Sequence, residues 1–302
     1  MSEALLRRGI LNIQQKNLLM ENVRIGEIGF EGEVRADQFW SDLQLEIPHF
    51  LLHGYETENS QGFSHQIDTI LLTKHFVLIV ELKNIGGRVR YDERTNQFIR
   101  ELHGELLALP DPFAQVSRHQ VFCKHLLREV GIELPVLTAI IFTSTSSILE
   151  EMPTRFPIFK LAGLRFKLID WLRTYPAQLS ESMLCLVKEE LLARYKPRMW
   201  QPPFVDLKVK PGAICTCGST MYYRRGKFIC SCGVVSKNAL YQGLHDYRLL
   251  RSEWITNKEL RDFFLIESID IANKILKRAG FYYEGSTCAR KYLIPKDVWR
   301  NF

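Results

Sequence analysis

The chain has 302 residues, 46% hydrophobic and 25% charged, with a net charge of +6 and seven cysteines. This is the make-up of an ordinary globular protein with room for two or three domains, and an odd cysteine count with four clustered points to a reducing cytoplasm rather than a disulfide framework. No run of about 18 apolar residues is present, so no membrane span is expected, and Glu3, Arg7 and Arg8 interrupt the apolar N-terminal residues in a way that does not suit a signal peptide.

Residues 1–24 read as a short amphipathic helix. Val34, Phe39, Trp40 and Leu43 recur at helical spacing, so a helix is predicted from Glu31 to Leu45, with Glu33 in its first turn. Phe50 to Gly54 reads as a strand and the polar stretch Glu56 to His65 as a loop. Gln66 to Asn84 then reads as two apolar strands joined by a tight turn. Arg88–Tyr91 and Gln97–Leu102 alternate as strands do. Phe113 to Val130 is a helix closed by Gly131, Val136 to Phe142 a buried strand, and Thr143 to Ser147 a polar loop beyond it. Phe166–Ile169 reads as a further short strand and Leu179–Tyr195 as a helix. Pro197, Pro202, Pro203 and Pro211 mark a linker.

The hairpin carries the chemistry. A turn centred between Lys74 and His75 sets Asp68 opposite Glu81, and alternation puts Glu81 and Lys83 on one face. Two adjacent carboxylates repel, and one pKa rises unless a cation is shared between them. Oxygen ligands on rigid strands suit magnesium, which leaves the lysine for a water or a phosphate. The preceding run Phe76 to Val80 reads as an interior strand, where charge is costly unless it serves a site. A structural alternative stands beside each assignment: Glu33 as an acid at a helix start, Glu81 and Lys83 as an edge salt bridge, Gln115 as a cap of its own helix. His119, one turn beyond Gln115, is at most a supporting group. His65 and His75 read as loop residues. Cys123, Cys185 and Cys288 lie in apolar contexts that suit core positions.

Gly29-Phe30-Glu31-Gly32-Glu33, Gln66-Ile67-Asp68, Glu81-Leu82-Lys83-Asn84 with Gly86-Gly87, and Pro112-Phe113-Ala114-Gln115 occur in this order. Together they resemble the nuclease-related domain (NERD) family of the PD-(D/E)xK nuclease superfamily. The resemblance implies a restriction-endonuclease-like α/β fold, a mixed sheet flanked by helices, and metal-dependent hydrolysis of phosphodiesters. Asp68 and Glu81 would bind Mg2+ or Mn2+, with Glu33 completing or supporting the site. Lys83 would position water or stabilise the transition state. Gln115 would orient the nucleophile or bind a backbone phosphate.

From Ile214 the character changes. Cys215-Thr-Cys217-Gly218 and Cys230-Ser-Cys232-Gly233 flank a small hairpin turning at Arg225-Gly226. Four thiolates from two knuckles suit a structural Zn2+, and the module resembles a zinc ribbon with one residue, rather than two, inside each cysteine pair. Thr256 and Ser268 cap two helices, the second ended by Gly280. A hairpin through Glu284-Gly285-Ser286 follows, giving the pattern of a winged helix-turn-helix. Its second helix would present Asn273, Lys274, Lys277 and Arg278 to nucleic acid. The expected division is 1–200 for the nuclease-related domain, 201–240 for the ribbon and 241–302 for the winged helix.

Charge follows that division. Residues 1–200 carry 23 Lys/Arg against 25 Asp/Glu, and residues 201–302 carry 17 against 9. Clustered positive charge is the footprint of a phosphate-backbone binder, and it also serves simply as a solubilising surface. The reading is a cytoplasmic Mg2+-dependent nuclease acting on DNA, targeted by its C-terminal modules, with oligomeric state left open. The alternative is a non-catalytic nucleic-acid-binding or interaction protein on a nuclease-like scaffold.

Overall fold

The computed structural model describes residues 1–59, 62–198, 204, 208–286 and 289–300. The chain divides into two compact units, one of Gly26–Met199 and one of Met1–Ile25 with Trp200–Phe302. It begins with α1 (Ser2–Arg8) and a 30-residue helix, α2 (Ile13–Asp42). The helix predicted from Glu31 therefore starts much earlier. Glu33 stands in its interior, not its first turn, so dipole compensation at a helix start does not explain this acid.

The Gly26–Met199 unit is built on a five-stranded sheet ordered β1-β2-β3-β7-β9. These strands are β1 (His49–Glu58), β2 (Ser64–Thr73), β3 (Val77–Lys83), β7 (Val136–Phe142) and β9 (Ile158–Lys160). β1, β2 and β3 run antiparallel in sequence, while β7 lies parallel to β3 and β9 parallel to β7. The mixed α/β class expected from the sequence holds. β1 and β2 extend well into the stretch expected as a loop at 56–65, as a long two-stranded ribbon in which Glu58 and Ser64 are exposed while Thr57 and His65 are buried.

A second sheet, ordered β6-β5-β4-β8, contains β4 (Gly87–Asp92), β5 (Gln97–Leu102), β6 (Glu105–Leu109) and β8 (Ser147–Glu150). Helix α3 (Pro112–Glu129) is capped by the Asp111 carboxylate, which accepts from Phe113 N–H. α4 (Leu164–Thr174) absorbs Phe166–Ile169. Phe-Lys-Leu-Ile mimics strand alternation over four residues, but Leu164 and Leu168, four apart, are the buried pair, and that is helical spacing. α5 (Glu181–Ala193) starts at a Ser180 cap.

Helices cover both faces of the five-stranded sheet. Ile70, Leu72, Val77 and Ile79 pack with Cys123 and Leu126 of α3 and Leu184 and Val187 of α5. Leu71, Leu78 and Val80 pack on the other face with Ala36 and Trp40 of α2 and Leu164 and Leu168 of α4. Val77–Val80 are buried on both faces, as an interior strand must be.

The other unit begins its C-terminal part with a small antiparallel sheet of β10 (Ala213–Ile214), β11 (Thr220–Arg224), β12 (Lys227–Ile229) and β13 (Val235–Ser236). It continues through α6 (Ala239–Leu250), β14 (Trp254–Thr256), α7 (Asn257–Phe264), α8 (Ile269–Ala279), β15 (Tyr283–Glu284) and β16 (Lys291–Leu293), with strand order β14-β16-β15. Thr256 and Glu259 form a capping box at α7, and Ser268 accepts from Ile271 N–H at α8. Cys288 lies outside the described residues, as do Pro202 and Pro203. Among the described residues no helix is long and apolar enough to cross a membrane.

α1 belongs to this unit through an ion pair. Arg8 Nε lies 2.7 Å from Asp246 Oδ2 on α6, with side-chain exposures of 1% and 0%. The same guanidinium donates to Gly212 O at 2.6 Å and Lys210 O at 3.2 Å. Breaking a buried pair from one side strands a charge and costs about 3–5 kcal/mol. Asp246→Ala is therefore expected to destabilise this unit by that order in a urea titration; a loss under about 1 kcal/mol would contradict the pair's role.

Candidate active site

The hairpin register is Thr69↔Val80, Ile70↔Ile79, Leu71↔Leu78, Leu72↔Val77. Its centre is Lys74–His75, where Thr73 Oγ1 accepts the N–H groups of His75 and Phe76 at 3.1 and 3.0 Å. Asp68 and Glu81 form the next pair, but the ladder stops before them and β2 parts from β3. Leu82 N–H, left without a strand partner on that side, donates to Asp68 Oδ2 at 2.6 Å. The β1–β2 ladder also skips Gly54/Asp68, and Gly54 has φ +56°. Tyr55 and Ile67 beyond that break face the same core as Ile70 before it, so Asp68 stands where both strands change face. Gly54 takes a conformation that a Cβ disfavours.

Glu81, only 3% exposed, is the centre of a polar cluster. Lys83 Nζ donates to its Oε1 at 2.6 Å, and Gln115 Nε2 of α3 donates to its Oε2 at 2.8 Å. Lys83 Nζ and Gln115 Oε1 are 3.5 Å apart. Asp111 caps α3, so the cap reading of Gln115 is not needed. Strand and helix thus bring Asp68, Glu81, Lys83 and Gln115 together.

Asn84 fastens α2 to this strand end. It donates from Nδ2 to Ile28 O at 2.6 Å and accepts from Arg35 Nη1 at 2.8 Å. Gly32 permits the approach: a Cβ there would lie 2.7 Å from Asn84 Cβ and 2.8 Å from Thr143 Oγ1. Glu33 is carried in beside it, and burial first, then the charges of Asp68 and Asp37, raise its pKa. Glu33, Asp68 and Glu81 do not bring their carboxylate oxygens all within 4.8 Å of one another; among the described residues only the four cysteines form such a group.

Both acids are held above their ordinary pKa values. Burial first, and Glu81 second, push Asp68 up to about 7. Burial raises Glu81 as well, against the pull of Lys83 and Gln115. With a folded pKa of about 7 against an ordinary value of 3.8, the folded chain binds more protons than the unfolded one across that window. The stabilisation is complete below pH about 4 and is lost as pH rises through about 7. In EDTA, thermal unfolding of wild type is expected to lose ground against Asp68→Asn between these pH values, and magnesium is expected to reduce the loss. Parallel curves would contradict this.

The sequence reading missed part of the surroundings. His65 is a buried strand residue, not a loop residue. Its Nδ1 is 3.1 Å from His119 Nδ1. Burial first, and then His65, Arg118 and Lys83, lower His119 to about 4. No motif announces this pair; the signal is only that Gln115 and His119 lie one turn apart on α3. Cys123 is a core residue as expected, whereas Cys185 is exposed, because α5 turns it away from the sheet.

In the C-terminal unit, Cys215 and Cys232 have sulfurs 3.7 Å apart, and Cys217 and Cys230 3.6 Å. Tetrahedral zinc with bonds of about 2.3 Å requires sulfur–sulfur edges of about 3.8 Å, and a disulfide only about 2 Å. The two knuckles repeat one hydrogen-bond pattern: Cys215 N–H to Ser219 O and Gly218 N–H to Cys215 O, then Cys230 N–H to Val234 O and Gly233 N–H to Cys230 O. The cluster fits a zinc ribbon. On α8, Lys274, Lys277 and Arg278 are exposed. Asn273 is half-buried and its Oδ1 accepts from Asn257 Nδ2 at 2.8 Å. It lines a cavity of about 490 Å³ with Lys258, Arg261, Lys277 and Arg290.

Residues 28–143 match the family described as NERD, nuclease-related domain. The chain carries a nuclease-related domain over these residues, and all four motif blocks fall inside it. Comparisons with curated proteins and with solved structures find no match.

Proposed function

From a nuclease-related domain whose acids meet at a strand fork, we propose that this protein is a divalent-metal-dependent nuclease acting on DNA. The observation that supports it is one cluster: Asp68 and Glu81 side by side, with Lys83 and Gln115 bonded to Glu81. Asp68 and Glu81 would hold the ion, and Glu33 would support it. Bound magnesium or manganese supplies an acidified water and offsets phosphate charge. Gln115 and Lys83 hold the Glu81 carboxylate in one orientation. Lys83 also offers Nζ donors to a phosphate oxygen, and Asp68 keeps the free end of β3 in place through Leu82 N–H.

The C-terminal unit is the targeting part of this reading. Its four cysteines would bind a structural zinc, and β14, α7, α8, β15 and β16 would act as a winged helix-turn-helix. Exposed Lys274, Lys277 and Arg278 on α8 would meet phosphates, and Asn273 would line the same face. One observation favours the scaffold alternative, in which cleavage is absent: the oxygens of Glu33, Asp68 and Glu81 do not all lie within 4.8 Å of one another. Incubation with single- and double-stranded DNA and RNA, linear and circular, separates the readings. Cleavage supports the nuclease. Binding that weakens steeply with salt, without cleavage in any divalent metal, supports the scaffold.

A further inference from the structure

A second feature lies on the same helix as Gln115. Gln115, Arg118, Phe122 and His125 recur at three- to four-residue spacing and form one stripe along α3. The stripe runs from the Glu81 cluster to a cavity of about 440 Å³ whose lining includes Arg118, Phe122, His65 and Val121, with the acids Glu58 and Glu129, which are paired to Lys196 and Arg194. Arg194 is engaged with Glu129 and Glu190, and His125 with Glu129. Among the described residues Arg118 makes no hydrogen bond or ion pair; its guanidinium lines the cavity and its charge acts on Glu81. His65 stacks on Phe122 with ring centroids 4.7 Å apart and planes 27° apart. It is 2% exposed, and its Nε2 has no hydrogen-bond partner.

We propose that this cavity is a nucleotide subsite, taking one unpaired base of the substrate strand next to the site of cleavage, with Arg118 on the adjoining phosphate. It rests on the nuclease reading for the identity of its ligand. The chemistry of the lining selects that ligand. A flat aromatic stack accepts another ring, and any base has a π face to offer. His65, stacked on Phe122, backs that ring and holds its face for the base. A guanidinium fits a phosphate in bidentate fashion. A base held in a cavity cannot also be paired, so the subsite favours single strands, frayed ends or flipped nucleotides over an intact duplex interior.

The test uses the full chain carrying Asp68→Asn, so that binding is read without turnover. Thymidine 5′-monophosphate binding is titrated by calorimetry, and a single-stranded pentamer carrying 5-iodouracil is photocrosslinked and its adducts mapped. Val121 is 67% exposed, so Val121→Trp fills the mouth of the cavity without touching the core; Arg118→Ala removes the free cation. Each is expected to weaken mononucleotide binding about tenfold, the scale of one stacked base or one charged contact, and crosslinks are expected within 64–73 or 112–129. Unchanged mononucleotide affinity in both variants, or adducts confined to residues 208–300, would overturn the subsite. If wild type proves not to cleave in any metal but Val121→Trp still weakens nucleotide binding about tenfold, the subsite stands and the hydrolytic reading falls.

Discussion

Asp68→Asn is expected to reduce phosphodiester cleavage by at least about a thousandfold, because a metal's charge stabilisation is worth several kcal/mol and each 1.4 kcal/mol is a decade in rate. The variant is a fair one. Asparagine keeps an oxygen for Leu82 N–H, which Asp68 now accepts at 2.6 Å, so the fork between β2 and β3 survives. What is lost is the second negative charge beside Glu81. Because that charge is raised in pKa by burial and by Glu81, its loss is expected to make the metal-free protein more stable while making it inactive. Single-turnover kinetics together with thermal unfolding in EDTA check both halves. Cleavage within about tenfold of wild type would remove Asp68 from the metal site.

Loss of zinc is the second large effect. Cys215 and Cys230 are 5% and 3% exposed and belong to the hydrophobic core of the C-terminal unit, with Met221, Phe228, Phe264 and Leu244. The knuckles are therefore part of that core rather than an appendage to it. Structural zinc contributes on the order of 10 kcal/mol to small modules whose cysteines hold it. Cys217→Ser, or a strong chelator, is expected to unfold this unit while the sheet of the Gly26–Met199 unit keeps its own melting transition. Elemental analysis should find one zinc per wild-type chain and none in the variant. A metal-free protein with an unchanged C-terminal transition would contradict the assignment.

The hairpin was legible because its turn chemistry is local. Thr73, Lys74 and His75 interrupt two apolar runs of matched length, and period-two alternation then fixes which side chains meet. The cap residues Thr256, Ser268 and Gly280 were legible for the same reason: each acts on backbone groups a few residues away. What escaped the sequence is set by long-range packing. Glu33 lies inside a 30-residue helix whose N-terminal half has no strong apolar stripe to reveal it. Arg8 is buried only because Asp246, more than two hundred residues on, is there to meet it. His65 looks like part of a polar loop until β1 pairs with β2 and turns it against α3. Gly54 gives no sign in sequence that the strands change face at Asp68. Asn84 and Gly32 stood in the motif without a role; the structure gives them one, as the close contact that carries Glu33 toward the acids.

The measurement that bears most directly on the central claim is cleavage of supercoiled circular and of linear DNA by the wild-type chain, read in magnesium, after excess EDTA, and after manganese is restored. Cleavage is expected in magnesium, none in EDTA, and recovery with manganese. Cleavage that persists in EDTA, or intact circular and linear DNA under every metal tried, would contradict a divalent cation held between Asp68 and Glu81 as the agent of cleavage.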